Sequence, residues 1–213
     1  MIITIDGPAG AGKSTIAKLV ARKLQFTYID TGAMYRAITY KVLKNNCSLT
    51  DKERIIELAK GTKIEFKEGK IFLDGEDVSQ NIRTRKVTNN TSVIAAIPEV
   101  REILRNIQRE YARDNNIVME GRDIGTVVFP EAQHKFYLDA SLTERAKRRF
   151  LELKNKGVKT TLDEIAAEIS ERDNIDLNRG LCPLKVPEGA TVIDSTNKTI
   201  DEVVELIVKK IKK

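Results

Sequence analysis

The 213-residue sequence predicts an α/β fold, a five-stranded parallel sheet with helices on both faces, and three observations lead to it. Five short runs, Ile2 to Asp6, Thr27 to Asp30, Ile117 to Glu120, Lys135 to Asp139 and Thr191 to Asp194, are β-rich and apolar nearly throughout. Strands buried on both faces of a parallel sheet read this way, without alternation. The intervening stretches repeat apolar residues at helical spacing, and a glycine-rich octapeptide sits at the first strand-to-helix junction.

Taken in chain order, Lys13 to Leu24, Ala33 to Asn45, Val100 to Arg113, Leu142 to Lys156 and Asp201 to Lys212 are the covering helices. In the last, Val204, Ile207, Val208 and Ile211 form the apolar stripe. Thr50-x-x-Glu53, Ser141-x-x-Glu144 and Thr161-x-x-Glu164 fit the capping box, in which a hydroxyl and a carboxylate satisfy two free helix N–H donors reciprocally. Between Thr62 and Val78, Ile64-Glu65-Phe66 and Ile71-Phe72-Leu73 are separated by the turn signals Glu68-Gly69 and Asp74-Gly75, which predicts a small antiparallel insert. Lys154 to Thr161 carries charge and a glycine between two helices, as a solvent-facing lid would. The expected organisation is one domain over 1–213, with a core of about 1–61, 100–153 and 166–213, an insert of about 62–99 and a lid of about 154–165.

Hydrophobic residues at 41% and charged residues at 32% describe a globular chain, not a disordered one. The net charge of +6 suits an anionic small molecule or a nucleic acid and does not choose between them. The apolar runs Ile2 to Ile5 and Ile124 to Pro130 fall far short of the roughly 18 residues that cross a bilayer. The first residues read straight into a strand, without a basic segment and longer apolar segment, so a cytoplasmic location is expected. Cys47 and Cys182 form no CxxC pattern, which indicates neither a disulfide framework nor a zinc site. His134 is the sole histidine, at the mouth of a strand, and reads as structural.

The octapeptide Gly7-Pro8-Ala9-Gly10-Ala11-Gly12-Lys13-Ser14 fits G-x4-G-K-[ST], the phosphate-binding loop, and stands between a strand and a helix as that mechanism requires. Glycines let the backbone curl so that N–H groups point inward, and the helix N-terminus adds partial positive charge. Lys13 is placed to reach the β- and γ-phosphates of ATP, and the Ser14 hydroxyl to ligate Mg²⁺. With Thr15, these residues are the expected ATP-binding set. Asp6 and Asp30 end the first two strands, where open α/β sheets bind ligands. Each could orient a Mg²⁺-bound water or a polar ligand group, or cap the adjacent helix or turn.

Arginines point to the second substrate. An alcohol acceptor would benefit from a base, whereas a nucleoside monophosphate has a second pKa near ~6 and attacks as a dianion. The site must then overcome repulsion between two phosphates, which planar guanidinium forks do best. Candidates are Arg36, Arg101, Arg122, Arg145, Arg148, Arg149, Arg172 and Arg179, any of which could instead lie on a solvated helix face. Arg122 stands out because it follows a buried strand at the ligand-binding edge.

Four motifs together resemble bacterial-type cytidylate kinases, nearly end to end. They are Ile5-Asp6 with the octapeptide, Asp30-Thr31-Gly32-Ala33-Met34-Tyr35-Arg36, Gly121-Arg122-Asp123-Ile124-Gly125-Thr126-Val127-Val128-Phe129-Pro130, and Glu171-Arg172-Asp173-x-x-Asp176-x-x-Arg179-x-x-x-Pro183-Leu184. The resemblance implies Mg²⁺-dependent transfer of the ATP γ-phosphoryl group to CMP or dCMP, in pyrimidine nucleotide metabolism. It implies that Thr31, Ser92, Arg101 and Asp123 read cytosine, that Asp176 with Arg172 faces the ribose, and that Arg36, Arg122 and Arg179 clamp the acceptor phosphate. Arg148 or a neighbour would neutralise the transferring group, so that Lys13, Arg122, Asp123, Arg148 and Arg179 form the catalytic set. Thr31 stands where Ser is frequent and Glu120 where Asp is frequent, and both keep the functional group. Uridylate is the nearest competing acceptor. A nucleotide-switched nucleic-acid binder is disfavoured by 5% aromatics, by basic residues scattered among acids and by the lack of an Asn-Lys-x-Asp motif. The expected partners are therefore small molecules, with neither nucleic acid nor membrane, and the chain is taken as a monomer.

Overall fold

The computed structural model describes residues 1–67, 69–155 and 157–212. Its elements run β1 (Ile2–Asp6), α1 (Lys13–Leu24), β2 (Thr27–Asp30), α2 (Thr31–Lys44), α3 (Lys52–Lys60), β3 (Ile64–Lys67), β4 (Lys70–Leu73), β5 (Glu76–Asp77), α4 (Arg85–Ala95) and α5 (Pro98–Ala112). There follow β6 (Ile117–Gly121), a π-helical turn (Ile124–Val128), β7 (His134–Asp139), α6 (Leu142–Asn155), α7 (Leu162–Asn178), β8 (Thr191–Asp194) and α8 (Ile200–Ile211).

The five strands read from the sequence form one sheet in the order β2-β6-β1-β7-β8. Around β1 the pairing is parallel on both sides, with Ile3 opposite Val118 and His134. The continuous apolar runs arise because Ile3, Ile5, Val118 and Leu138 are fully buried beneath helices. The insert is the expected antiparallel sheet, β3-β4-β5. Asp74 and Gly75, with φ of 51° and 88°, join Leu73 to its partner Glu76 in a two-residue turn whose twist suits a hairpin. Of the other turn signal, Glu68-Gly69, Glu68 lies outside the described residues.

Helix starts depend on local donors. α1 has the expected bounds, while α2 begins at Thr31 because the Asp30 carboxylate accepts the Ala33 N–H at 2.8 Å. α5 begins at Pro98, a residue suited to a first helical turn. For α6, the end that the sequence predicts, Lys156, lies outside the described residues. Its end is closed by Gly157 at φ 74° and by Val158 N–H on the Leu153 carbonyl. Of the three capping boxes, only Thr161–Glu164 forms completely. At α3 the cap is Asp51, which accepts the Arg54 N–H, while Thr50 Oγ1 pairs with Ser48. A carboxylate one residue nearer the helix is the stronger acceptor at its positive end. At α6 half a box forms: Ser141 accepts the Glu144 N–H, but Ser141 N–H goes to Thr196 and the Glu144 carboxylate to Arg148. A further complete box, Thr199 with Glu202, starts α8.

The chain divides into two compact units, Met1–Tyr28 with Asn115–Lys213, and Ile29–Asp114. In the first, Ile16 and Val20 of α1 and Val204, Ile207 and Val208 of α8 pack with Ile3, Ile5, Val118, Phe136 and Leu138. In the second, α2 packs on α4 and α3 on α5, burying Met34, Ile38, Val42, Ile55, Val87, Ile94 and Leu104. Each such large side chain contributes about 1.5–3 kcal/mol when fully buried.

Candidate active site

The loop between β1 and α1 is shaped by what surrounds it. Gly7 has φ 147°, and a Cβ there would meet the Leu138 carbonyl oxygen at 2.0 Å. Gly10 has φ 76°, and its Cβ would press on Arg145 Cβ at 3.1 Å. At Gly7 no side chain fits without moving backbone, and at Gly10 the left-handed φ strains any residue with a Cβ. Lys13 is buried at the start of α1, and its Nζ donates to the Pro8 carbonyl at 2.7 Å. Burial, then repulsion from Arg122, pulls its pKa down to about 7. Ser14 is exposed in the first turn. The described residues contain no group of three or more His, Cys, Asp or Glu side chains able to hold a metal. An exposed hydroxyl beside a phosphate loop does fit a hard cation that takes most of its oxygens from phosphate and water.

Asp6 is fully buried at the end of β1, and its two oxygens accept the N–H groups of Ile124 and Gly125 at 2.9 and 2.7 Å. Burial pushes its pKa up to about 6 even against these bonds. Of the two sequence readings, Asp6 takes the capping one and fixes the π-helical turn that follows Arg122 and Asp123. Asp123, also buried, opens that turn, and its carbonyl accepts the Val127 and Val128 N–H groups.

Beside this loop the arginines converge on one carboxylate. Arg122 Nε donates to Asp176 Oδ2 at 2.8 Å, and Arg179 lies 3.4 Å from Asp176 Oδ1. Although burial acts the other way, Arg122, Arg179 and Arg172 hold the Asp176 carboxyl below its ordinary range. Arg122 in turn is held above its ordinary value by Asp176 and Glu120, against its own burial. Arg172 and Asp176 both act electrostatically on Lys13, so four cationic side chains and Asp176 form one charge cluster.

Arg145, one of the candidate arginines, and Asp173, to which the sequence assigns no role, tie α6 and α7 to the loop. Arg145 donates to the carbonyls of Ala9 and Ala140 and to the Asp173 carboxylate, which also accepts the Ala9 N–H at 3.2 Å. Asp173 lies inside the Glu171-Arg172-Asp173 motif, and its position three residues before Asp176 on one helix face was the available signal. Arg148 is held by Glu144 and Ser195. Arg149 pairs with Glu152 on an exposed helix face, the ordinary surface role.

Thr31, Arg36, Ser92 and Arg101 belong to the second unit. There Arg36 pairs with Asp30 at 3.0 Å, so Asp30 also takes its capping role, serving the helix end and this arginine. Arg101 is buried, donates to the Ala95 carbonyl at 3.1 Å, and stacks over the Tyr35 ring at 5.5 Å. Thr31 is buried at the start of α2, and Ser92 is half-buried on α4.

A parallel sheet ending in a phosphate loop, with arginines gathered beside its lysine, defines a P-loop kinase of small molecules. The chain belongs to the cytidylate kinase family, whose sequence model matches residues 3–213. It is 57% identical over 211 residues to a cytidylate kinase of Caldanaerobacter subterraneus subsp. tengcongensis, covering 99% of this chain and 94% of that one. It is 50% identical over 211 residues to a cytidylate kinase of Clostridioides difficile, covering 99% and 98%. A shikimate kinase from Bacteroides thetaiotaomicron shares the fold at 14% identity, with TM-score 0.52 and coverage of 100% of this chain and 99% of that chain. The protein is therefore a nucleoside monophosphate kinase.

Proposed function

We propose that the protein transfers the γ-phosphoryl group of ATP directly to the phosphate of CMP or dCMP, giving ADP and CDP or dCDP. The observation that carries this reading is the cluster in which Arg122 and Arg179 share the Asp176 carboxylate within electrostatic reach of Lys13. It supplies concentrated, oriented positive charge, which suits an acceptor that is already a dianion.

In this reading Gly7 to Thr15 hold the triphosphate, and Lys13 exchanges the Pro8 carbonyl for phosphate oxygens. Mg²⁺, bound through Ser14, would supply neutralisation of phosphate charge. Arg122 and Arg179 exchange Asp176 for the acceptor phosphate, Asp123 meets the base, and Arg172 with Asp176 faces the ribose. Arg148 neutralises charge on the group in flight. From the second unit, Arg36 takes the acceptor phosphate, while Thr31, Ser92 and Arg101 read cytosine. The buried, stacked setting of Arg101 supports that assignment, since a fixed donor discriminates between bases better than a mobile one. Catalysis then rests on positioning and electrostatics.

The reading includes a lid over about 154–165, and a monomer working in the cytoplasm on small molecules, apart from nucleic acid and membranes. Among the described residues no helix is long and apolar enough to cross a membrane. ADP release measured with ATP and, in turn, CMP, dCMP, UMP, AMP and shikimate tests the function. CMP and dCMP are expected to give the highest kcat/KM, and turnover with AMP alone would refute the assignment.

A further inference from the structure

β7 and β8 end in register, with Asp139 opposite Asp194, and the chain leaving β8 is held tightly at that edge. Thr196 donates to Asp194 through its N–H and its hydroxyl, and accepts the Ser141 N–H from the start of α6. Between them, Ser195 is buried, with 4% exposure. Its N–H donates to the Asp139 carbonyl at 2.8 Å, and its hydroxyl lies 3.0 Å from the same carbonyl and 3.5 Å from the Ala11 carbonyl of the phosphate loop, either of which can take its proton. A serine hydroxyl has one proton, so the remaining capacity of Oγ is as an acceptor.

That capacity faces Arg148. Its NH1 donates to Ser195 Oγ at 3.1 Å, its NH2 to the Ser195 carbonyl at 2.7 Å, and its Nε to Glu144 at 2.9 Å. Each of the three guanidinium nitrogens thus has an acceptor, and two of the three acceptors come from one buried residue on a different element. The same NH1 lies 3.9 Å from where a Cβ on Gly12 would sit, beside the residue preceding Lys13. Arg149, one position along the same helix, pairs with Glu152 on its own exposed face.

We propose that Ser195 is a positioning residue for phosphoryl transfer, its hydroxyl and carbonyl holding the Arg148 guanidinium beside the Gly12–Lys13 end of the phosphate loop. The proposal rests on the role assigned to Arg148 above. Ser195 also touches the loop directly at the Ala11 carbonyl, but its closer bonds are to the guanidinium, which it stations before substrates arrive, so that reorientation is not left to the reacting complex.

The test uses Ser195→Ala, Ser195→Thr, Arg148→Ala and the Ser195→Ala/Arg148→Ala pair in the full chain, with kcat and both KM values from ADP release with ATP and CMP, and melting temperatures. Losing one hydrogen bond to a charged group lowers kcat about tenfold in Ser195→Ala, with KM for ATP and CMP within about twofold of the parent. Ser195→Thr, which keeps the hydroxyl, restores kcat to within about threefold. In the Arg148→Ala background, Ser195→Ala lowers kcat no further, because the two residues act as a unit. If Ser195→Ala does not fold, Ser195→Cys keeps the volume with a weak acceptor and carries the same expectation. An equal loss of kcat on both backgrounds, or an unchanged kcat in Ser195→Ala beside a reduced one in Arg148→Ala, overturns the proposal. An unchanged kcat in Arg148→Ala removes the assigned role of Arg148 first, and the proposal with it.

Discussion

Arg122 and Asp176 lie 54 residues apart in sequence and meet through a single 2.8 Å bond from guanidinium to carboxylate, both side chains largely buried. The pair joins the end of β6 to the last turns of α7 and leaves the guanidinium near Lys13. A carboxylate in that position stores the arginine in the geometry that an anionic phosphate would otherwise have to organise.

Replacing Arg122 should therefore cost activity more than stability. Arg122→Ala is expected to lower kcat/KM for CMP by about 10²–10³, and Arg122→Lys to recover little of it, because an ammonium lacks the planar fork. Steady-state kinetics on both variants, with circular dichroism to verify folding, checks this.

Burial, and then repulsion from Arg122, bring the pKa of Lys13 down to about 7. A triphosphate brought beside it favours the ammonium form and raises the pKa again. Binding of an ATP analogue at pH 8 should therefore take up as much as about one proton, and Lys13→Met should abolish the uptake. Calorimetry in buffers of different ionisation enthalpy reads the proton count directly.

Asp6 carries the opposite sign of linkage. Its folded pKa of about 6 lies above the ordinary 3.8, so its contribution to stability is fully present below about pH 4 and is lost as pH rises through 6. The stability of the parent relative to Asp6→Asn is expected to fall by up to about 3 kcal/mol between pH 4 and pH 7. Urea denaturation of both proteins across that range checks the sign and the size.

The buried Arg145–Asp173 pair predicts an asymmetry. Asp173→Ala leaves a buried guanidinium uncompensated and should destabilise the protein by about 3–5 kcal/mol, whereas Arg145→Met with Asp173→Leu should cost less than the sum of the two single changes, because no buried charge is left and only the Ala9 and Ala140 backbone groups lose partners. Both changes release Ala9 and are expected to weaken ATP binding, as measured by titration beside the denaturation curves.

The framework was legible in the sequence because its signals are local: unbroken apolar strands, a helical stripe in α8, and a loop whose glycines and lysine sit in fixed order. Cap choice was less legible. Asp51 and Thr50 both offer an acceptor, and only the backbone path decides which reaches a free N–H. The polar run of α4 and the π-helical turn were not visible at all. α4 does bury a stripe, Val87, Thr91, Ile94 and Ala95, but one of its members is a threonine and the residues between are polar, and the turn is set by Asp6, more than a hundred residues upstream. The arginines were legible as a class. Which of them gather at one carboxylate, which bind the phosphate loop and which face solvent depends on long-range packing, as Arg122, Arg145 and Arg149 illustrate.

Transfer between two phosphates is the centre of the account, and following the phosphorus tests it most directly. With ATP labelled at the γ-phosphorus and CMP as acceptor, the label is expected in the β-position of CDP, one for each ADP formed, and Lys13→Ala should abolish it in a folded protein. Label released as inorganic phosphate, or an undiminished rate in Lys13→Ala, would contradict the account.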